Sequence, residues 1–479
     1  MDTALNQALL HQGSVVKKLQ LSASKRRLPV ERFAPVFLFV VDVLSWAFAL
    51  VGTTTLLTGD ATHHIFLFTA PSIGIFMLYI IGGYDRRTDL LTLRYASEHL
   101  ISLIIAGAIS MLFAYVFSAF NQIVKPSRAF VPLLFVLFLV SSLYLRRRVG
   151  AYIRRSQAAR SLLVLGAGPE AKRFNREYNK FGGNWSLEFV DPSNALNGCH
   201  IDGEDSPIVE GDAEGKLRDS GQRYAAVVLA CVTRKLSQGL LQQLVAMHCS
   251  SVPVSTINAF REQQWSRVIV NSVGPEWLFS SEFRLADGAT YSYVKRLFDI
   301  VFSTIGLILV SPILLLVCAL IRMESSGPSI FKQERVGRAG RSFVMYKLRT
   351  MYENEGDIYT RDGDIRITRI GYWLRLTRLD ELPQLWNVLF GDMSLIGPRA
   401  EWIKCVEIYE KSIPNYHLRH LVNPGITGWA QVKFGYGESE RDAIDKFEFD
   451  LYYIRHFSLK LDVSIVLKTI YTIFEGNGR

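Results

Sequence analysis

Apolar and polar positions segregate along this chain on two scales. Four long apolar runs come first, at about 33–57, 65–84, 100–120 and 130–145. A helix needs roughly 20 apolar residues to cross a bilayer, so each run is near that length and the last falls somewhat short. Beyond residue 160 the runs shorten. Segments at about 161–165, 188–191, 224–230 and 252–257 read as strands, with a helical pattern around 236–247. Strand and helix in alternation predict a parallel α/β sheet. One more long apolar segment stands at about 297–321, ahead of shorter helical patterns that include 443–474. The pattern predicts a multi-domain integral membrane protein of α plus α/β class. Its parts are a basic tail (1–32), a bundle of four transmembrane helices (33–148), a parallel α/β domain (149–290) and an α-rich C-terminal part (291–479).

Composition narrows the partners. Hydrophobic residues make up 49% of the chain, which suits membrane segments, and the net charge is +10. A basic balance can serve nucleic acid, anionic lipid or an anionic substrate. The chain holds no basic-aromatic nucleic-acid module, and its Lys and Arg cluster beside the apolar segments. No nucleic-acid partner is expected, whereas membrane lipids are. The five cysteines show no CxxC pair and no zinc-spaced His, which argues against a structural zinc or a disulfide framework. No short apolar core with a small-residue cleavage site opens the chain, so no cleaved signal peptide is expected. The tail carries Lys17, Lys18, Lys25, Arg26, Arg27 and Arg32. Basic residues recur at Arg86, Arg87 and Arg94, and again from Arg146 to Arg160. By the positive-inside rule both ends of the bundle face the cytoplasm. Asp42 lies inside the first apolar run, near its basic end, so snorkelling or an interhelical hydrogen bond is its expected role.

The α/β domain opens with Ser161-Leu-Leu-Val-Leu-Gly166-Ala-Gly168-Pro-Glu-Ala171, a strand, a glycine turn and a helix start. Glu188-Phe-Val-Asp191 would be a second strand ending on an acid. One reading is dinucleotide binding, with pyrophosphate on the helix N-terminus and Asp191 on a ribose. The other, favoured because fold does not fix function, is a Rossmann-like structural or regulatory domain without a cofactor. The later apolar segment contains Ser311-Pro312, where proline breaks the helix ladder and serine can answer a freed carbonyl. Both of its flanks are basic, with Lys295 and Arg296 before it and Arg322, Lys332 and Arg335 after. A bent helix that enters one leaflet and returns is predicted, which keeps the C-terminal part cytoplasmic.

The chemistry concentrates in Arg375-Leu-Thr-Arg378-Leu-Asp380-Glu381-Leu-Pro383-Gln384. Proline suits a first helical turn, so the carboxylates are expected in the first turn of a helix over about 379–389. Arg375, Arg378 and Arg399 surround the pair. A lone Asp-Glu would read as a capped helix with surface ion pairs. An anionic pair within a cationic rim instead suits a divalent metal and a diphosphate.

The surrounding motifs are ordered. Gln333-x-Arg335-x-Gly337-x-x-Gly340 precedes Phe343-x-x-x-Lys347-x-Arg349-Thr350-Met351. Asp364-x-Arg366-Ile-Thr368-Arg369-Ile-Gly371 follows, then the dyad, Gly397-Pro398-Arg399, and Pro424-Gly425-Ile-Thr427-Gly428-Trp-Ala-Gln431. This series resembles the bacterial sugar transferases, the polyprenyl-phosphate hexose-1-phosphate transferases, from about Tyr291 to the end. The layout resembles their long form, with a membrane bundle and a middle domain ahead of a monotopic catalytic part.

The resemblance implies transfer of a sugar-1-phosphate from a UDP-sugar to undecaprenyl phosphate, with UMP released, in exopolysaccharide or capsule synthesis. It implies Asp380 as nucleophile and Glu381 as the Mg²⁺ ligand. It places Lys347, Arg375, Arg399 and Pro398 near the dyad and diphosphate, and supports a re-entrant helix at Ser311-Pro312. Arg335, Arg349 and Arg366 stand in motifs where ion-pair structure and phosphate contact are both open. Lys295, Arg296 and Asp299 are expected to anchor the apolar segment, and Gly425 and Gly428 to serve turns. Ala400 replaces the family's usual second proline, and Lys433-Phe434-Gly435-Tyr436-Gly437 replaces Asn-Gly-Arg, which leaves the sugar open. UDP-glucose and UDP-galactose are the expected donors, and a homo-oligomer is left open. Two other classes compete. A membrane-anchored NAD-dependent sugar-nucleotide dehydratase or epimerase needs a Tyr-x-x-x-Lys pair, and Tyr291 and Lys295 have that spacing, but at the mouth of the apolar segment. A non-catalytic export scaffold would not need the dyad with its lysine and arginines.

Overall fold

The computed structural model describes residues 30–57, 64–85, 88–120, 129–157, 160–183, 185–218, 223–231, 236–249, 252–270, 273, 289–352, 364, 366–434 and 440–474. Most of the basic tail, Arg86 and Arg87, and Gly435 to Gly437 lie outside the described residues. Four apolar helices come first: α1 Val30–Leu56, α2 His64–Ile80, α3 Leu93–Phe120 and α4 Phe130–Gln157. Of these, α1, α3 and α4 are long and apolar enough to cross a membrane, and α2 is shorter. The fourth run does not stop at its basic end. The helix continues through Arg146, Arg147 and Arg148 to Gln157, because arginine is a good helix former.

The chain divides into two compact units. The first holds α1, residues 84–92, α4 from Val136 onward, and the α/β domain. There, of the two roles expected of Asp42, the interhelical hydrogen bond is the one observed, and the side chain is buried and does not snorkel. It pairs with Arg146, and both are fully buried. Ser142 Oγ donates to Asp42 at 2.7 Å, and the Tyr84 hydroxyl donates to its other oxygen. A buried charge persists only when paired and hydrogen-bonded, and every partner here supplies part of that compensation.

The α/β domain is a five-stranded sheet built from β1 Ser161–Leu165, α5 Pro169–Phe181, β2 Ser186–Val190, β3 Val209–Glu210, α6 Ala213–Arg218, β4 Tyr224–Leu229, α7 Gln238–Cys249, β5 Val254–Thr256 and α8 Ile257–Trp265. Its order is β3-β2-β1-β4-β5, with each neighbouring pair parallel. Side chains alternate across β1. Leu162 and Val164 face Phe174, Phe260 and Trp265 from α5 and α8, while Leu163 and Leu165 face Leu217, Leu240 and Leu244 from α6 and α7.

The second unit holds α2, α3, the start of α4, and the chain from Ser266 onward. Its C-terminal elements are α9 Ala289–Glu324, β6 Ile330–Val336, β7 Ser342–Leu348, α10 Arg369–Leu376, α11 Gln384–Phe390, β8 Ser394–Ile396, α12 Ile403–Ser412, β9 Gly425–Thr427, α13 Trp429–Lys433, α14 Glu440–Arg455 and α15 Leu459–Phe474. β6 and β7 form an antiparallel hairpin, and β8 and β9 a short parallel pair. The expected single helical part near the C-terminus is two helices, α14 and α15.

The helix α9 runs as one helix from Ala289 to Glu324, with Pro312 inside it. Proline lacks the N–H that would bond the Ile308 carbonyl, and Ser311 Oγ donates to that same carbonyl at 2.9 Å. The replacement bond lets the helix continue. At the start of α9, Arg296 donates to the Val388 and Leu389 carbonyls at the end of α11, where such carbonyls lack partners. Asp299 accepts from Ser394 Oγ and the Leu395 amide. At the other end, Glu324 accepts from the Arg369 and Ile370 amides and caps α10.

Candidate active site

Three cationic side chains of the second unit converge on Glu381. Leu379–Glu381 is a single 3₁₀ turn, and the α-helix begins only at Gln384. The expected helix start was too early for a definite reason. Pro383 has no N–H to bond the Leu379 carbonyl, so the turn closes through shorter bonds such as Leu382 N–H to Leu379 O at 3.2 Å. Arg378, ahead of the turn, takes a left-handed conformation with φ of 59°. That costs strain in an arginine, and it brings the Arg378 guanidinium back to 3.6 Å from Glu381 Oε1.

Lys347 comes from β7, one residue before the strand ends, and its Nζ donates to Glu381 Oε1 at 3.1 Å. Arg399 comes from the segment after β8 and donates to the same oxygen at 2.9 Å. The backbone that carries Arg399 is fixed by close approach. A Cβ on Gly425 would stand 2.1 Å from the Gly397 nitrogen, and one on Gly428 2.1 Å from the Gly397 oxygen. These glycines therefore serve backbone contact, not the turns expected of them. The Gly425 amide donates to the Pro398 carbonyl at 2.8 Å, which sets Pro398 beside β9. Asn387 locks α11 to β7, accepting from the Tyr346 amide and donating to the Val344 carbonyl.

The two carboxylates differ. Glu381 is buried, and although burial opposes its charge, Arg399, Lys347 and Arg378 together hold its carboxyl far below the usual range. Asp380 is half-buried and its Oδ1 has no hydrogen-bond partner. Burial raises its carboxyl; Lys347 pulls it down and the Glu381 charge pushes it up, and the balance stays above the ordinary value. Burial lowers Lys347, with Glu381 acting against that.

The other sequence candidates divide. Arg375 donates to Thr350 Oγ1 at 2.9 Å and contributes positive charge near Asp380. Arg335 donates to the Ala400 carbonyl at 3.0 Å, so the residue that replaces the family proline anchors an arginine through its backbone. Arg349 is spent on the Ser325 and Ser326 carbonyls, and Arg366 on Asp364. A further buried network lies behind Arg399: Arg419 bridges Glu401 at 3.2 Å and Asp450 at 2.8 Å. Sequence reading missed it. Arg399-Ala400-Glu401 hints at it, but Arg419 and Asp450 are joined only by the fold.

In the α/β domain, Pro169 occupies the first position of α5, where it removes one amide from the helix N-terminus. Asp191 accepts from the Ser193 and Leu196 amides and closes its own turn.

No group of three or more His, Cys, Asp or Glu stands together among the described residues. Mg²⁺ is commonly held by one or two carboxylates together with substrate phosphates, so a two-carboxylate site fits it when a diphosphate completes the shell. The Asp380 oxygen without a partner is consistent with that donor set. On Glu381 the contacts described above all fall on Oε1, which leaves Oε2 as the oxygen it can offer.

A carboxylate dyad with one unpartnered oxygen, ringed by Lys and Arg on a membrane-associated domain, defines a site for anionic, phosphate-bearing groups. The chain belongs to the bacterial sugar transferase family, whose profile matches residues 290–476. It is 43% identical over 259 residues to a UDP-N-acetylgalactosamine-undecaprenyl-phosphate N-acetylgalactosaminephosphotransferase of Aeromonas hydrophila, covering 53% of this chain and 60% of that protein. It is 39% identical over 244 residues to a UDP-glucose:undecaprenyl-phosphate glucose-1-phosphate transferase of Klebsiella pneumoniae, covering 50% and 51%. The match thus spans about half the length of these two relatives. The exopolysaccharide production protein PSS of Rhizobium leguminosarum bv. phaseoli is 42% identical over 195 residues, 39% of this chain and 98% of that protein.

Proposed function

We propose that this protein transfers a hexose-1-phosphate from a UDP-sugar to undecaprenyl phosphate and releases UMP, as a first membrane step of exopolysaccharide or capsule synthesis. The observation that carries the reading is Asp380 Oδ1, buried without a partner beside Lys347 and Glu381. An ionised carboxylate so placed is free to attack phosphorus. Its oxygen forms a bond to the β-phosphorus, and the bond from that phosphorus to the bridging oxygen breaks, so UMP leaves. A phosphate oxygen of the lipid then attacks the aspartyl phosphosugar and frees Asp380. Two steps suit a soluble donor and a membrane-held acceptor. Lys347, Arg378 and Arg399 keep Glu381 ionised, and Arg375 and Arg399 are placed to meet diphosphate oxygens. Mg²⁺, held by Glu381 and the diphosphate, would supply charge neutralisation. The α/β domain is read as structural, since Asp191 is engaged in its own turn. The test is direct: purified protein with Mg²⁺, undecaprenyl phosphate and single UDP-hexoses should release UMP for at least one sugar, and release with none of them would refute the reading.

We infer that the site lies at the cytoplasmic face of the inner membrane, with α9 re-entrant. The helix touches α10, α11 and β8. Its start is tied to α11 and β8, and its end caps α10. A helix crossing a ~30 Å core could not keep both ends on one charged domain. Its outward side chains, among them Leu309, Leu315 and Leu316, are exposed, as are Trp373 and Trp386 on the adjoining helices, which suits a lipid interface. A cysteine introduced at exposed Lys411 in α12 is therefore expected to resist a membrane-impermeant maleimide in intact cells and to react after lysis. Ready labelling of intact cells would place the domain outside.

A further inference from the structure

The helix α15 touches two sides of the second unit. Towards the membrane helices, Lys468 Nζ donates to Glu98 of α3 at 2.7 Å, with both side chains buried. The Lys460 ammonium lies 3.9 Å from the centre of the Tyr79 ring on α2. Arg94 of α3 donates to the Val432 carbonyl of α13 at 2.8 Å. Towards α9 and the site, Asp462 of α15 accepts from Lys295 at 2.6 Å and from Tyr291 at 2.8 Å, both at the start of α9. The Tyr453 hydroxyl donates to Asp462 at 2.8 Å and also lies 3.3 Å from the Ile396 carbonyl on β8, ahead of Pro398 and Arg399. Thr469 and Thr427 of β9 share a hydrogen bond at 2.6 Å.

This is a continuous strut from the α2–α3 hairpin to the base of α9. A buried Lys–Glu pair contributes little net stability, because desolvation offsets attraction, but it tolerates slippage poorly. Sliding α15 by one residue along α3 would move Lys468 by about 1.5 Å and leave its buried charge mismatched, while Glu98 would keep Arg94, which lies 3.2 Å from the same oxygen. Of the two hairpin helices, α3 is long and apolar enough to cross the bilayer and so holds the pair there. The relative from Rhizobium aligns over 98% of its length in 195 residues, so a family member of that size has no room for the four N-terminal helices. The contact of α15 with α2 and α3 is thus an addition to the catalytic part, whereas α15 itself lies within the family match.

We propose that Glu98 and Lys468 are positioning residues that set the height of α9, and of the site it supports, relative to the membrane. They serve capture of the lipid phosphate and not of the soluble nucleotide sugar. This rests on the reaction proposed above. A donor arriving from water is indifferent to depth, whereas a phosphate held at the headgroup level is reached only from one height.

The experiment uses the full chain in phosphatidylethanolamine–phosphatidylglycerol nanodiscs, with Glu98→Gln, Lys468→Met and the exchanged pair Glu98→Lys with Lys468→Glu. Three quantities are read: the KM for undecaprenyl phosphate, the UMP burst from UDP-hexose without acceptor, and the immersion depth of a nitroxide on p-acetylphenylalanine at exposed position 308. Each single variant is expected to raise the acceptor KM about tenfold, to leave the burst within about twofold, and to shift the probe depth. The exchanged pair is expected to restore the KM and the depth. The proposal is overturned if the single variants slow burst and turnover equally in folded protein, or if the acceptor KM and depth do not move. Depth is measured without turnover, so failure of the proposed reaction, seen as no burst from the wild type with any UDP-hexose, is distinguished from failure of the strut.

Discussion

Asp380→Asn is expected to remove the UMP burst and the covalent sugar phosphate altogether. The substitution keeps the shape of the side chain and its place in the 3₁₀ turn, but it removes the anion. Turnover should fall by about three decades or more, since the neighbouring carboxylate, Glu381, is held in ion pairs with Lys347, Arg378 and Arg399. The measurement is single-turnover UMP release, with radiolabelled UDP-sugar and no lipid, followed by denaturing electrophoresis. Wild type should retain label on the protein and Asp380→Asn should not. Labelling of the variant would move the nucleophile elsewhere. The pH dependence gives a second signature. Burial holds the Asp380 carboxyl above its ordinary value, and the attacking form is the ionised one. The burst rate should therefore rise with pH through a limb that lies above the usual Asp value of about 4.

The parts of this picture that follow from local chain chemistry were legible in the sequence. Apolar runs long enough for a bilayer, Ser161–Leu165 leading into a glycine turn, and the Lys and Arg around the dyad are all local signals. The matched motifs between Gln333 and Gln431 carried the family. What could not be read depends on pairs far apart in the chain. Asp42 gives no sign that Arg146 neutralises it, since the two are joined by helix packing across about a hundred residues. Ser311-Pro312 marked in the sequence both the bond that proline removes and the side chain that can answer it, and Ser311 Oγ does donate to the Ile308 carbonyl. The start of the helix after the dyad was misjudged because a proline tolerated in a first turn can also stand just outside the helix, as Pro383 does. Arg335, Arg349 and Arg366 share the motif with Lys347, yet only contacts show which cations are committed to structure and which meet the dyad.

The second large effect is expected from Glu381→Gln, and it separates two jobs. In the folded protein the Glu381 carboxylate offsets Lys347, Arg378 and Arg399, and the Lys347 side chain beside it is itself largely buried. Removing one charge from such a buried set leaves its partners uncompensated, which typically costs about 3–5 kcal/mol. The linkage has a definite sign. Because the Glu381 carboxyl is held below its unfolded value, its contribution is present at neutral pH and is lost as pH falls through the depressed folded value. Wild type and variant should therefore differ in denaturant midpoint at pH 7 and converge in strong acid. Activity should drop by about two decades or more, with a weakened response to Mg²⁺ if Glu381 also holds the metal. A purely electrostatic role leaves a different trace. Without the Glu381 charge, Asp380 ionises more readily, so the acid limb of the burst should move to lower pH in Glu381→Gln while the Mg²⁺ titration keeps its midpoint. A shifted limb with an unchanged Mg²⁺ midpoint would assign Glu381 to holding the cations, and a displaced Mg²⁺ midpoint would assign it to the metal. A variant with wild-type burst rate and stability would exclude both.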